Sequence, residues 1–289
     1  VRRMVKKRSA AHAGSFYPGK KEDLVKTIEW SFMHEIGPGR LPIARNREKS
    51  SVAYMVPHAG YIYSGPVAAH SYMKIAEGGK PSVFVIAGPN HTGLGENASI
   101  WKEGYWETPL GEVEVDSEVS KLLVENTRYF SFDENAHLYE HSVEVQIPFL
   151  QYIFGEIKVV PIVIKLQNPE VSRDLGEALY KISKENGVDL VYIASSDMNH
   201  YDPHEETLKK DEIALKEIEE LDLDGLYKAL EKYGISMCGP GPVGAMLTLG
   251  KRLAYRCKIL KHATSGDMTG EKNWVVGYAS AMLHKGDSQ

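Results

Sequence analysis

The sequence predicts an α/β fold, a single domain over residues 1–289 with a mixed, mostly parallel central sheet and helices on both faces. Three segments carry that expectation. Ser51-Val-Ala-Tyr-Met-Val56 runs into Pro57-His58-Ala-Gly60, Val83-Phe-Val-Ile-Ala87 into Gly88-Pro-Asn-His91, and Leu190-Val-Tyr-Ile-Ala194 into Ser195-Ser-Asp197-Met-Asn-His200. Each is a short apolar run, as in a buried strand, that stops abruptly in a polar loop. In open α/β sheets, ligands bind beyond the carboxyl ends of the strands. If the three runs are parallel neighbours, His58, His91, Asp197 and His200 converge on one crevice.

The remaining elements follow in order. Ala11-His12-Ala-Gly-Ser-Phe-Tyr-Pro18 is turn-like, and its aromatics are expected to pack against the body. Lys21 to about His34 reads as a helix, with Leu24, Ile28 and Phe32 on one face. The strand before His58 is followed by a helix over Gly65–Met73 with Pro66 in its first turn, closed by Gly78-Gly79. Strand, helix and strand make a crossover, which requires a parallel pair. Segments 98–102, 104–107 and 111–115 alternate and are divided by Gly or Pro, as in antiparallel ribbons. Asp116 is placed to cap a helix through Leu123. Phe130–Phe132 reads as a short strand, and His137 through Ile153 as helical. Lys158–Ile164 is a strand whose Pro161 favours an edge or an early position. Helices follow from Pro169 to about Lys184, His204 to Glu220 and Asp224 to about Tyr233, and another starts at Pro242. Lys258–Leu260 and Val275–Leu283 read as closing strands.

Composition narrows the function classes. At 43% hydrophobic and 25% charged residues, the chain has the make-up of an ordinary globular protein with ample core. A net charge of −5 gives no reason to expect nucleic acid as a partner. The basic start, Arg2-Arg3 and Lys6-Lys7-Arg8, is followed by no apolar stretch, so secretion is not expected. No run is long enough to span a bilayer. Two cysteines are too few to suggest a disulfide framework, and a cytoplasmic location is the default expectation. No Walker loop, no G-x-G-x-x-G after a strand and no G-x-S-x-G elbow is present, so phosphate-cradling and serine-hydrolase readings have no support.

Several side chains are candidates for chemistry, each with a plainer alternative. His58 and His91 sit in Pro/Gly-framed loops after strands; either could instead be structural. Asp197 could be a metal ligand or an orienting carboxylate with His200 as acid/base, or it could simply cap the next helix. Cys238, just upstream of a helix start, could be a small buried apolar residue. Alternatively the helix N-terminus lowers its pKa and favours the metal-binding thiolate. His141 and Glu144 share one helix face by spacing, either as an ordinary surface pair or as groups that hold a ligand in place. Tyr61, Tyr63 and Tyr201 flank the histidine loops and could line a pocket mouth or simply be half-buried aromatics. Two histidines with cysteine or aspartate form a metal-site inventory suited to zinc, copper or iron.

His12-Ala-Gly-Ser-Phe-Tyr17, Pro57-His58-Ala-Gly-Tyr61, Gly88-Pro-Asn-His91, Glu140-His141-Ser-Val-Glu144, Ser195-Ser-Asp197 with His200, and Cys238-Gly together resemble the Memo family, in matching order over nearly the whole chain. The resemblance implies a fold similar to the class III extradiol dioxygenases, which are non-haem iron enzymes. It implies a metal triad of His58, His91 and Cys238, with Asp197 and His200 beside it. Cys238 stands where those dioxygenases have a carboxylate ligand, which argues against ring cleavage. The expected activity is redox or oxygenase-like chemistry on iron or copper. The alternatives are a module binding a phosphopeptide, another peptide or a small anion in the same crevice, and, more weakly, a zinc hydrolase. The ligand expected in the crevice is a small molecule or a peptide. The resemblance also implies a radical-SAM protein as a partner.

Overall fold

The computed structural model describes residues 6–286. Arg2 and Arg3 of the basic start lie outside the described residues. The chain begins with β1 (Lys7–Arg8) and α1 (Lys21–Met33), followed by the crossover β2 (Ala53–Val56), α2 (Tyr61–Gly78) and β3 (Val83–Pro89). Next come β4 (Ala98–Ile100), β5 (Tyr105–Thr108), β6 (Gly111–Val115), α3 (Ser117–Glu125) and β7 (Ser131–Phe132). A 3-10 turn at Glu144–Gln146 leads into α4 (Ile147–Phe154), β8 (Lys158–Ile164), α5 (Pro169–Lys184) and β9 (Leu190–Ser195). The C-terminal part holds β10 (His200–Asp202), α6 (His204–Glu219), α7 (Leu223–Tyr233), α8 (Pro240–Leu253), β11 (Arg256–Thr264), α9 (Ser265–Thr269) and β12 (Val275–His284).

Among the described residues, twelve strands join one mixed sheet, whose main path runs β1-β5-β6-β8-β3-β9-β2-β12-β10. Its centre is parallel: β8 pairs with β3, β3 with β9, and β9 with β2. The three runs that end at Val56, Ala87 and Ala194 are therefore parallel neighbours, as expected. Their side chains alternate between two apolar layers, as the period of two requires. Ala53, Met55, Val85, Ala87, Tyr192 and Ala194 pack with α5 and α8 on one face. Tyr54, Val56, Phe84, Ile86, Val191 and Ile193 pack with α1, α2 and α4 on the other. Burial on both faces is why these strands read as unbroken apolar runs.

Some boundaries differ from the expectation. α2 begins at Tyr61, so Pro66 lies in the helix interior and Tyr61 in the first turn. β8 is an interior strand, yet it tolerates Pro161. The reason lies on its outer flank, where β6 pairs only with Lys158 and Val159 and β4 with residues from Ile162 onward. Pro161 falls between the two partial neighbours, and its carbonyl accepts from the Trp101 amide there. The β5–β6 hairpin is antiparallel, but β6 joins β8 in parallel. Residues 137–143 are turns, not helix, so His141 and Glu144 do not share a helix face. α8 starts at Pro240, closer to Cys238 than the sequence indicated. Among the described residues, no helix is long and apolar enough to cross a membrane.

Candidate metal centre

The carboxyl ends of β2, β3 and β9 deliver His58, the His91 loop and the Ser195–His200 loop to one edge of the sheet. Cys238 is carried by the turn that opens α8. The ligand atoms of His58, His91 and Cys238 all lie within 4.8 Å of one another. The same holds for Asp197, His200 and Cys238, and for His91, Glu140 and His141. His58 Nε2 is 3.2 Å from Cys238 Sγ. Two glycines make this approach possible. A Cβ on Gly88 would collide with Ser142, and one on Gly239 with the Ser195 carbonyl and Ser196.

Hydrogen bonds fix which histidine nitrogens are free. Ser195 Oγ donates to the Ser142 carbonyl and accepts from Gln146 Nε2. Its hydroxyl proton is therefore committed, and at 2.8 Å its oxygen accepts a hydrogen bond from His58 Nδ1–H. His58 Nε2 is left bare and faces the thiol. His91 Nδ1 donates to Glu140 Oε2 at 2.8 Å, which in the neutral ring likewise leaves Nε2 bare. Glu140 is held in place by the His91 and Ser142 amides. An imidazole whose other nitrogen donates to an oxygen is the usual arrangement of a metal-bound histidine.

Burial and neighbouring charges shift the site's groups in different directions. Burial, then the neighbouring His91, holds His58 well below its ordinary pKa, so the ring stays neutral. Burial and His58 push His141 down to about 3. For His91, burial acts to lower the pKa, but the bond to Glu140 outweighs it and the net shift is upward. Glu140 is also opposed by burial, yet its bonds to His91 bring it down to about 2. Burial raises Asp197, whose Oδ1 accepts the His58 amide at 2.8 Å. Asp197 does not cap the next helix; α6 has Pro203 at its N-cap and no side-chain cap. Burial, then Asp197, pushes the Cys238 thiol up. This corrects the expectation of a thiol acidified by a helix N-terminus: the Gly239 amide, the N-cap N–H of α8, donates to Ser196 Oγ. The Asp197 amide does point at Sγ, 3.3 Å away.

The other sequence candidates separate. His200 is close, with Nδ1 at 2.7 Å from the Ser236 carbonyl and Nε2 therefore bare. His141 stacks between His91 (4.6 Å between centroids) and Phe16 (4.1 Å). His12 packs edge-on against His141, but its Nε2 bonds the Tyr139 carbonyl. Glu144 faces away from the centre. It is fully buried and binds Arg8, the His12 amide and Tyr17. Tyr61 does not line the mouth; it is buried in the core with its hydroxyl on the Val145 carbonyl. Tyr63 and Tyr201 are exposed. Tyr201 adopts a left-handed φ of 69° and stacks on the exposed Trp274 at 4.2 Å.

A family model described as a Memo-like protein matches residues 8–282. A MEMO1 family protein of Aeropyrum pernix is 51% identical over 281 residues, 96% of this chain and 100% of that one. One from Sulfolobus acidocaldarius is 51% identical, covering 94% and 98% respectively. The chain belongs to the Memo family. At the level of fold, a crystal structure of an uncharacterized protein from Escherichia coli K12 superposes with a TM-score of 0.52 at 15% identity. It covers 78% of this chain and 99% of the other.

In this Memo-family chain, the residues behind the ligand candidates leave little trace in the sequence. Glu140 orients His91, yet it stood in the quoted motif only as a neighbour of His141. Ser195, Gln146, Ser236 and Gln167, whose amide bonds the Cys238 carbonyl, carry no spacing signal.

Proposed function

We propose that the crevice binds one metal ion through His58 Nε2, His91 Nε2 and Cys238 Sγ, and that it supports metal-dependent redox chemistry. The observation that carries the reading is the pair of bare Nε2 atoms, each fixed by an oxygen acceptor at Nδ1, gathered with a thiol within 4.8 Å. Ligands on a tetrahedral ion at 2.0–2.3 Å stand about 3.5 Å apart, so the donor set fits with small adjustment. Iron or copper suits two imidazoles and a thiolate, and zinc is compatible. Bound there, such an ion would neutralise the thiolate and supply one-electron chemistry. Around it, His200 Nε2 is free to take a proton, and Asp197, raised by burial, can hold one on its carboxylate. Three protein ligands leave a position open, as catalytic sites do and structural zinc sites do not.

A second reading has its own observation. The exposed Tyr63, Tyr201 and Trp274 beside the crevice favour a module that holds a peptide or a small anion. Chelator-treated protein reloaded with iron or copper is expected to bind about one equivalent and to consume oxygen or release superoxide. Cys238→Ser is expected to lose both the thiolate charge-transfer band and the turnover. Equal silence of wild type and Cys238→Ser, with peptide binding in the crevice, would replace the redox reading with the binding one.

A further inference from the structure

Beside the crevice, a polar chain runs from the loop after β9 to α6, β11 and the segment before α8. Asp211 on α6 is fully buried. Its Oδ2 accepts from His262 Nε2 on β11 at 2.8 Å, and its Oδ1 accepts the Asn199 amide at 2.9 Å. Asn199 is itself fully buried. Its Oδ1 accepts the Ser236 amide at 3.0 Å and the Ser236 hydroxyl at 3.2 Å. Its Nδ2 donates to Asp202 at 2.8 Å, and its carbonyl accepts the Gly277 amide. Ser236 then grips His200 twice. The Oγ accepts the His200 amide, and the carbonyl accepts Nδ1–H, both at 2.7 Å. Ser236 lies two residues before Cys238.

We infer that Asn199, locked by the buried Asp211–His262 pair, is a positioning residue that sets His200 and Cys238 relative to each other. The loop after β9 and the segment before α8 come from chain regions about forty residues apart. Besides direct contacts around Sγ, Asn199 joins them through the Ser236 backbone. Its Oδ1 accepts two bonds and its Nδ2 donates one, so both ends of the amide are held, as a buried polar network requires if it is to specify one geometry. The Ser236 carbonyl in turn selects the His200 tautomer whose Nε2 is bare toward the crevice. Without Asn199 the Ser236 amide loses its partner, the segment before Cys238 is free to shift, and the acceptor that fixes the His200 ring moves with it. The inference rests on the metal reading only for its consequence at Cys238; the His200 tautomer does not depend on any ion.

The test compares Asn199→Ala with Asp116→Ala, which removes a helix cap on α3 and costs about 0.5–2 kcal/mol far from the site. Cobalt(II) is the metal probe. Asn199→Ala is expected to weaken cobalt(II) binding about 10–100-fold, the range seen when a group behind a ligand is lost, while Asp116→Ala leaves it unchanged. In metal-free protein, ring nitrogen shifts of His200 are expected to show one tautomer, protonated at Nδ1, in wild type and a mixture in Asn199→Ala. If Asn199→Ala does not fold, Ser236→Ala, which surrenders only the hydroxyl contacts, is expected to show smaller changes of the same sign. Asp211→Asn, which keeps an acceptor for the Asn199 amide, is expected to stay closer to wild type than Asp211→Ala. Wild-type failure to bind cobalt(II) would count against the metal centre, while the tautomer comparison would still decide the positioning role. An unchanged tautomer, with cobalt(II) affinity no different from Asp116→Ala, would overturn it.

Discussion

At the scale of single residues, the centre depends on which polar atoms are left without protons. His58 and His141 are held neutral by burial, and so is His137, which is enclosed by Trp101 and Trp106 and pushed down to about 3. An unfolded histidine titrates near about 6.5. Between those values the unfolded chain binds a proton that the folded chain refuses. Stability contributed this way is present above about pH 6.5 and falls as pH drops toward about 3. His137→Phe is expected to flatten the dependence between pH 7 and 4.5, by up to about 3 kcal/mol at ~1.4 kcal/mol per unit. Urea midpoints at the two pH values measure it, and an unchanged slope would refute the assignment. Glu140 acts in the same direction at lower pH. Its carboxylate is brought down to about 2, so its contribution is present above about pH 4.5 and disappears as pH falls through 2.

At the scale of elements, two loops are held in place by identifiable contacts. The N-terminal segment lies over the 137–144 turns because Arg8 binds the His137 and Glu140 carbonyls and the Glu144 carboxylate. Arg8, read from sequence as part of a basic start, is in fact buried. Glu144→Ala leaves this guanidinium buried without its carboxylate and is expected to cost about 3–5 kcal/mol. Hydrogen exchange of residues 8–17 should quicken as the segment loosens, and protection equal to wild type would contradict the anchoring role. The second contact is β3 against Ser142. Gly88→Ala drives a methyl group into that serine. Such overpacking costs about 1–3 kcal/mol and should displace Glu140 and His141, so metal affinity is expected to fall along with stability. A variant that loses stability but keeps wild-type affinity would show that the loop position does not matter to the centre.

At the scale of the molecule, the parallel β8-β3-β9-β2 core is a rigid platform buried on both faces, and the centre sits on its edge. An ion that binds only the folded chain stabilises it by mass action, about 2.7 kcal/mol at a hundredfold excess over the dissociation constant. At roughly 2–4 °C per kcal/mol for a chain near this size, metal-loaded protein should melt about 5–10 °C above chelator-treated protein. Cys238→Ser should narrow that gap. A gap unchanged in Cys238→Ser would place the stabilising ion elsewhere.

The sequence by itself determined the strand runs, their parallel direction and the family, because burial on two faces leaves an uninterrupted apolar signature and the loop motifs are locally encoded. It also named the polar residues that the strand ends present. Only the tertiary structure decided which of them face one another. Glu140 and Glu144 are the same chemical type four residues apart. One orients His91 and the other anchors the N-terminal segment, and the difference lies in the turn path of residues 137–143. Tyr61 left the pocket mouth because α2 starts a turn earlier than Pro66 suggested. Cys238 was expected to be acidified by a helix N-terminus, but its pKa is raised, because burial beside Asp197 outweighs a dipole whose leading N–H is spent on Ser196. Spacing in a chain encodes which residues share an element. Proton ownership and local field depend on atoms brought from distant segments, and those are set only when the fold closes.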